Sequence, residues 1–397
     1  MTGLGEAFAL GSQAQAAVAA APRVASLALL ARVEGGAGAL GQVARSPPPQ
    51  HSGAAGGAVA LCGVICLAAA GKAARRRRSK VAAAAGTPGD KLSLFSPAKV
   101  NLFLRIIRRR EDGYHDLASL FHTVSFGDTM DLEVLPEEAA KDELQCNLPG
   151  VPIDDSNLVI RALNLFRKMS GEKNYFRINL QKRIPAQAGM GGGSSNAATA
   201  FYGANALCGR PASAEELIKW ADDPVIGSDA TFFLSEGTAY CTGRGEIVTP
   251  VAPLSVPADL PVFLVKPRMG LSTPRVFKAL DLSRLSKVEP EVLLKTFQEK
   301  GADHEAWVND LEQPAFDVEP DLGRLKVFLE KDGGFGFRSV LMSGSGSTIY
   351  ALGEPKGGAE AFEKATRAGF DIEGIWRCSL VRRSGSEAWY GFPEVKS

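Results

Sequence analysis

Between Lys182 and Thr199 the chain carries four glycines, Gly189, Gly191, Gly192 and Gly193, followed at once by Ser194, Ser195 and Asn196. Without Cβ atoms this backbone can enter φ > 0 and bring its N–H groups close to a ligand. The oxygens of Ser194, Ser195 and Asn196 offer cap chemistry, and the small residues from Ala197 onward favour a helix. A glycine-rich turn opening a helix combines unpaired N–H donors with the positive end of the helix dipole, so the chemistry it suits is the holding of a polyphosphate.

The element that must present this loop is the stretch Arg177 to Gln181, which alternates polar and apolar residues and predicts a half-buried strand. Strand, glycine loop and helix then form one unit. The glycine spacing is not G-x-G-x-x-G, and G-x-x-x-x-G-K-[ST] occurs nowhere in the chain, so neither the dinucleotide fingerprint nor the common P-loop is present. A linker or a plain tight turn is the bland alternative. The longer string from Pro185 to Ala198, Pro-x-x-x-Gly-x-Gly-Gly-Gly-Ser-Ser-Asn-Ala-Ala, is more particular: it resembles the phosphate loop of the GHMP family of small-molecule kinases.

Further up the chain, Lys91 to Ile106 alternates on either side of Pro97 and predicts a strand interrupted by a bulge or an edge, with Lys99 and Asn101 on one face. Asp112-Gly113 predicts a turn, with Tyr114 and His115 just beyond it. Taken alone, Lys99 and Asp229 read as solvated charges, and Tyr114 and His115 as turn and packing residues. Together, Pro97-Ala98-Lys99-x-Asn101-Leu102 and Asp112-Gly113-Tyr114-His115 resemble one branch of the GHMP kinases, whose substrate is cytidine diphosphate methylerythritol. The likeness runs on through Asp155 to Leu158, Ile226 to Asp229, Thr242 to Glu246, Leu271 to Thr273, Asn309 to Glu312 and Met342 to Thr348, and covers about residues 91–390.

The resemblance implies an α+β, two-lobed fold. Its N-terminal lobe, over 91–258, would carry the ATP loop and resemble a ribosomal-protein domain; its C-terminal lobe, over 259–390, would be a ferredoxin-like α/β unit. The implied activity is ATP-dependent phosphorylation of the 2-hydroxyl of the cytidylyl substrate, on the methylerythritol phosphate route to isoprenoids, with ATP and Mg2+ as cofactors. Asp229 matches the family's catalytic acid and would take the hydroxyl proton as general base, with Lys99 as its basic partner. Pro185, Gly189, Gly191, Gly192, Gly193, Ser194, Ser195 and Asn196 would hold the nucleotide. The hydroxyls of Ser194 and Ser195 would face the phosphates, Ser194 would also face Mg2+, and Asn157 is an adenine-side or structural residue. Tyr114 and Phe277 would sandwich the cytosine, His115 would bond its edge, Asn101 would touch the sugar alcohol or its phosphate, and Thr273 joins the substrate set. The second small-residue loop, Ser343 to Ser347, would close the back of the cleft. The chain departs from the family at Ala230-Thr231, where an apolar residue and a proline are usual, and at Asp222-Asp223-Pro224, so the turn carrying Asp229 has its own shape. Alternatives are a homoserine or mevalonate type of GHMP kinase, a non-catalytic ATP-binding module, and an RNA-binding role; an aromatic beside Asp-Gly favours the cytidine pocket.

Charge separates the chain into two parts. Of 45 basic and 44 acidic residues among 397, residues 1–86 hold nine basic and two acidic, leaving 36 against 42 and a net of −6 for the rest. A mildly acidic body disfavours nucleic acid as a partner. Residues 1–86 have the composition of a targeting leader, with an apolar run over 53–71 and Arg75 to Arg78 behind it. Two readings stand: a stop-transfer element within a multi-part leader for a plastid with extra membranes, or one long transit peptide. Either predicts a plastid stroma destination and a mature protein, monomer or homodimer, that is not membrane-bound. The scattered cysteines form no C-x-x-C pair and predict reduced, structural thiols. In the C-terminal half the pattern predicts a strand over Leu260 to Lys266, helices over Thr273 to Leu280 and Val288 to Lys300 with Val292, Leu293 and Phe297 inward, and further helix within 309–331.

Overall fold

The computed structural model describes residues 86–385 and 387–393; the predicted leader, Gly86 apart, lies outside the described residues. Among the described residues no helix is long and apolar enough to cross a membrane.

The longest elements are the antiparallel pair β1 (Lys91–Arg109) and β2 (His115–Val134). Asp112 makes the turn between them by accepting the Tyr114 N–H at 3.1 Å. Pro97 has no N–H to give to the ladder, and the register shifts there: Pro97 faces Gly127 while Ala98 faces Val124, so β2 carries extra residues at this point. The bulge expected near Pro97 is therefore present. β3 (Glu143–Cys146), β4 (Phe176–Gln181), β5 (Thr238–Gly243) and β6 (Ile247–Pro250) complete a six-stranded sheet in the order β3-β4-β2-β5-β6, with β1 on β2. In β4 the alternation works as predicted, with Phe176, Ile178 and Leu180 buried and Arg177, Asn179 and Gln181 exposed.

Helices α1 (Leu158–Ser170) and α2 (Gly192–Leu207) cover this sheet. Phe166, Ala197 and Phe201 pack with Met130, Leu132, Ile178 and Leu180 in one core. Each such large side chain, once buried, contributes roughly 1.5–3 kcal/mol. Two shorter helices follow, α3 (Ala214–Ala221), closed by a Ser213/Glu216 capping box, and α4 (Ala230–Leu234).

The second sheet is antiparallel throughout: β7 (Val262–Pro267), β8 (Ser339–Met342), β9 (Ile349–Leu352) and β10 (Ile372–Cys378), in the order β10-β7-β9-β8. Its helices are α5 (Thr273–Lys278), α6 (Pro290–Lys300), α7 (Glu312–Val318), α8 (Pro320–Val327) and α9 (Ala359–Gly369). In α6, Leu293 and Phe297 are buried, but Val292 is 56% exposed and corrects its predicted inward place. Leu293 and Phe297 lie four apart on one face, and Val292 is turned about 100° away from it. The helix predicted within 309–331 is broken at Glu319-Pro320, where Pro320 opens α8 at a position whose N–H would be unpaired anyway. After β10 the chain returns to the first sheet: the Ser125 N–H donates to Ser379 O at 2.8 Å and the Val381 N–H to Thr123 O at 3.0 Å.

Candidate active site

The glycine loop begins α2 earlier than the sequence suggested. Gly191, at φ +70°, is the N-cap and Gly192 the first helical residue, with no side-chain cap; Ser194, Ser195 and Asn196 therefore lie inside the helix rather than capping it. Gly191 has little room for a Cβ, which would sit 3.0 Å from the Phe233 ring and 3.2 Å from Lys99 Cγ. A Cβ at Gly189, φ +72°, would run into the Ser343 carbonyl.

Once the helix starts at Gly192, the directions of the next side chains follow. Ser195 is fully buried: its Oγ donates to Pro97 O at 2.6 Å and lies 2.8 Å from Ser96 Oγ. This corrects its expected place on the phosphates. Asn196 is also committed inward, donating to Ser96 Oγ and Asp128 Oδ2 at 2.9 Å each and accepting from Lys182 Nζ at 2.9 Å. Fully buried Asp128 further accepts the N–H groups of Arg183 and Ile184 at 2.7 and 2.8 Å and the Lys182 ammonium at 2.5 Å, so it ties the entry of the loop to the helix leaving it. Sequence reasoning missed Asp128, which carries no local signal in a strand.

On the open side, Pro185, Gly189, Gly191, Gly192, Gly193 and Ser194 line a cavity of about 430 Å³ together with Asn157; Asn196 also borders it, although its polar atoms are bonded inward. Asn157 is the N-cap of α1: its Oδ1 accepts the Val159 N–H at 2.9 Å, and its Nδ2 donates to Pro152 O at 2.6 Å. The loop of Ser343 to Ser347 lies against this one, with Ser343 Oγ donating to Gly189 O at 3.0 Å and the Thr348 N–H to Ala188 O at 3.2 Å. Asn309 holds that second loop, donating to Met342 O and Gly344 O at 2.7 and 2.8 Å.

A larger cavity of about 900 Å³ is lined by Tyr114, His115, Gly227, Ser228, Arg244 and Thr273, with Phe277 beside them. The two cavities adjoin, since a Cβ on Gly227 would come within 2.9 Å of Ser194 Oγ. Lys99 and Asp229 lie just behind these walls: Lys99 Cγ is 3.2 Å from where a Cβ on Gly191 would sit, Asp229 follows Ser228 of the larger cavity, and Lys99 Nζ is 3.7 Å from Asp229 Oδ2 and 4.2 Å from the Phe121 ring centre. The Lys99 side chain is buried and that of Asp229 is 22% exposed, so the carboxylate keeps an open side.

The unusual residues around Asp229 explain its turn. Asp223 accepts the Val225 N–H at 3.0 Å and starts a short 3-10 turn, Pro224–Ile226, that delivers Gly227 at φ +89°. Buried Thr231 donates to the Ser228 and Glu246 carbonyls, each at 3.4 Å, where a proline could make neither bond.

Asn101 departs from its expected place. It is buried, accepts from Lys99 Nζ at 2.8 Å and donates to Ser119 Oγ at 2.9 Å, so it supports Lys99 rather than facing the larger cavity. His115 also differs: its ring stacks on Phe277, centroids 5.2 Å apart, while Tyr114 lies 5.3 Å from the Arg244 guanidinium. Burial, with Arg109 nearby, lowers the His115 pKa. Thr273 Oγ1 lies 2.7 Å from Ser345 Oγ and joins α5 to the second loop. Arg244 was visible in the Thr242-to-Glu246 motif, but nothing local assigned it to this cavity. Among the described residues no group of three or more His, Cys, Asp or Glu is placed to hold a metal, and the four described cysteines are free.

A model of the GHMP kinases N terminal domain matches residues 157–237. The chain is 53% identical over 266 residues to the chloroplastic 4-diphosphocytidyl-2-C-methyl-D-erythritol kinase of Oryza sativa subsp. japonica, covering 67% of this chain and 65% of that protein. It is 50% identical to the chloroplastic kinase of that name from Arabidopsis thaliana, over 68% of this chain and 69% of the relative, and 46% identical to the one from Protochlamydia amoebophila, over 66% and 85%. The match thus spans about two thirds of the plant relatives' length. A crystal structure of 4-(cytidine 5'-diphospho)-2C-methyl-D-erythritol kinase is similar with a TM-score of 0.59 at 32% identity, covering 73% of this chain and 99% of that one. A homoserine kinase from Cytophaga hutchinsonii, at 19% identity and a TM-score of 0.56 over 75% and 96% of the two chains, shares the fold.

Fold and glycine loop define the class, a two-lobed α+β small-molecule kinase of the GHMP type. Its members are ATP-dependent phosphotransferases. Within that class the chain belongs to the family of 4-diphosphocytidyl-2-C-methyl-D-erythritol kinases.

Proposed function

We propose that the chain transfers the γ-phosphoryl group of ATP to the 2-hydroxyl of 4-diphosphocytidyl-2-C-methyl-D-erythritol. The observation that carries this reading is the Lys99–Asp229 pair, set beside Gly191 of the glycine-loop cavity and next to Ser228 of a second cavity walled by aromatic rings. Phosphoryl transfer asks a protein mainly for positioning and charge neutralisation, and the donor and acceptor must meet at one point. The backbone N–H groups of Gly189 to Gly193 and the Ser194 hydroxyl receive the phosphates, at the positive end of α2. Tyr114, Phe277 and His115 receive the cytosine on the other side. Asp229 accepts the proton as the substrate oxygen bonds to the γ-phosphorus, and ADP leaves with the electrons of the broken P–O bond. Lys99, held by Asn101, offsets negative charge beside the transferring group.

Mg2+ favours oxygen ligands and keeps several waters and phosphate oxygens, so one hydroxyl from the protein fits it; Ser194, on the cavity wall, is the residue that would supply it. When bound, the ion neutralises phosphate charge. The leader-like composition of residues 1–86 and the chloroplastic names of the plant relatives support a plastid as the place of action.

A coupled ADP-release assay comparing the cytidylyl substrate, homoserine and mevalonate tests this reading. Turnover is expected with the first alone. Preference for either of the others, or turnover of none, overturns it.

A further inference from the structure

The segment that ends the described chain touches the elements that bear Lys99 and Asp229. Tyr390 OH donates to Phe233 O at 3.1 Å, and Arg383 Nη1 donates to Leu234 O at 2.5 Å and Ser235 O at 3.2 Å. These carbonyls close the C-terminal end of α4, a helix of five residues whose N-cap is Asp229. A helix this short has too few internal bonds to hold its own direction, and its last carbonyls need outside donors. On the other side, Trp389 Nε1 donates to Phe95 O at 2.7 Å, on β1 four residues before Lys99. The segment is itself well fixed: Trp389 stacks on Tyr202 with centroids 4.5 Å apart, and the Arg383 guanidinium lies 5.0 Å from the Trp389 ring and donates to Ala388 O at 2.6 Å. Both Arg383 and Tyr390 are buried.

We infer that Arg383, Trp389 and Tyr390 are positioning residues for the Lys99–Asp229 pair, acting as a C-terminal strap that fixes the tilt of α4 and the path of β1 from behind. The inference rests on the proposed roles of Lys99 and Asp229. Phosphoryl transfer is sensitive to small misplacements of the base, so a loosened strap lowers turnover without weakening either cavity, because neither cavity of the site is lined by Arg383, Trp389 or Tyr390.

The test uses the full chain with Tyr390→Phe, which keeps the ring and removes the hydroxyl, and Trp389→Phe, which keeps an aromatic on Tyr202 and removes the N–H to Phe95. Turnover, both KM values and thermal melts by circular dichroism are measured. The expected result is a fall in kcat of about tenfold in each variant, with both KM values within about twofold of wild type and the protein folded at the assay temperature. A kcat within twofold of wild type in both folded variants overturns the strap, as does a loss that follows only the unfolded fraction. Should Tyr390→Phe not fold, Trp389→Phe decides by the same criteria. A wild-type chain that phosphorylates none of the candidate substrates overturns instead the proposed activity and, with it, any catalytic meaning of the strap.

Discussion

The imidazole of His115 lies stacked on the ring of Phe277, with centroids 5.2 Å and planes 30° apart. This pair joins the long β1–β2 hairpin to α5, and it gives the larger cavity an aromatic wall. A base stacked on such a wall gains roughly 1–3 kcal/mol, or about fivefold to a hundredfold in binding. Phe277→Ala is therefore expected to raise the KM for the cytidylyl substrate about fivefold or more and to leave the KM for ATP within about twofold; Tyr114→Ala is expected to do the same. Steady-state kinetics with each substrate varied in turn checks this, and equal rises in both KM values would place the rings in packing alone.

Asp229 and Lys99 face each other across 3.7 Å, one next to Ser228 of the larger cavity and the other beside Gly191 of the smaller. Asp229→Asn preserves shape and removes the base, so kcat is expected to fall by about 10²–10⁴. Calorimetry should find both substrates bound with near-normal affinity. A variant retaining more than about a tenth of wild-type turnover would falsify the assignment of Asp229 as base.

The neighbouring serines should separate cleanly. Ser195 Oγ is buried between Pro97 O and Ser96 Oγ, so Ser195→Ala leaves a buried acceptor unpaired and is expected to cost about 1–3 kcal/mol of stability, with little change in the KM for ATP. Ser194→Ala is expected to raise the KM for ATP and leave the melting temperature near wild type, because Ser194 lines the nucleotide-side cavity. Melts and ATP kinetics on the two variants check the pair, and the reverse pattern would exchange their roles.

His122 supplies a pH dependence of folding. Burial, assisted by the charge of Arg382, pulls its pKa from the ordinary 6.5 to about 4, against the bond with the Thr123 carbonyl. Below pH 6.5 the unfolded chain takes up a proton that the folded imidazole refuses until about pH 4, so this group's contribution to stability falls with acidification across that window. At about 1.4 kcal/mol per pH unit the full loss is roughly 3 kcal/mol. Urea midpoints between pH 7 and pH 4.5 should fall more steeply for the wild type than for His122→Gln, and parallel curves would show that His122 is not held neutral.

Much of the site is legible in order and spacing because its chemistry is local. A backbone stripped of Cβ atoms at Gly189, Gly191, Gly192 and Gly193 speaks of close approach wherever it occurs, and the alternation in β4 and the Asp112-Gly113 turn depend only on near neighbours. Motifs such as Lys99-x-Asn101 and Asp112-Gly113-Tyr114-His115 in sequence order were enough to point to a kinase class and a two-lobed α+β fold.

Which way each side chain turns was decided by tertiary structure. A helix advances 100° per residue, so starting α2 at Gly192 instead of Ala197 sends Ser195 into the core and leaves Ser194 on the cavity. Asp128 gathers the ends of the glycine loop, and Tyr390 and Arg383 close α4, from 157 and 149 residues away in the chain. Local spacing carries no trace of such bonds, because each partner is an ordinary strand or tail residue until the core brings its acceptor within reach. The sequence by itself determined the loop, the elements around it and the kind of chemistry they serve. Packing across the two sheets, which alone sets distances between residues remote in the chain, decided which of the candidate side chains stand on the cavities and which hold the others in place.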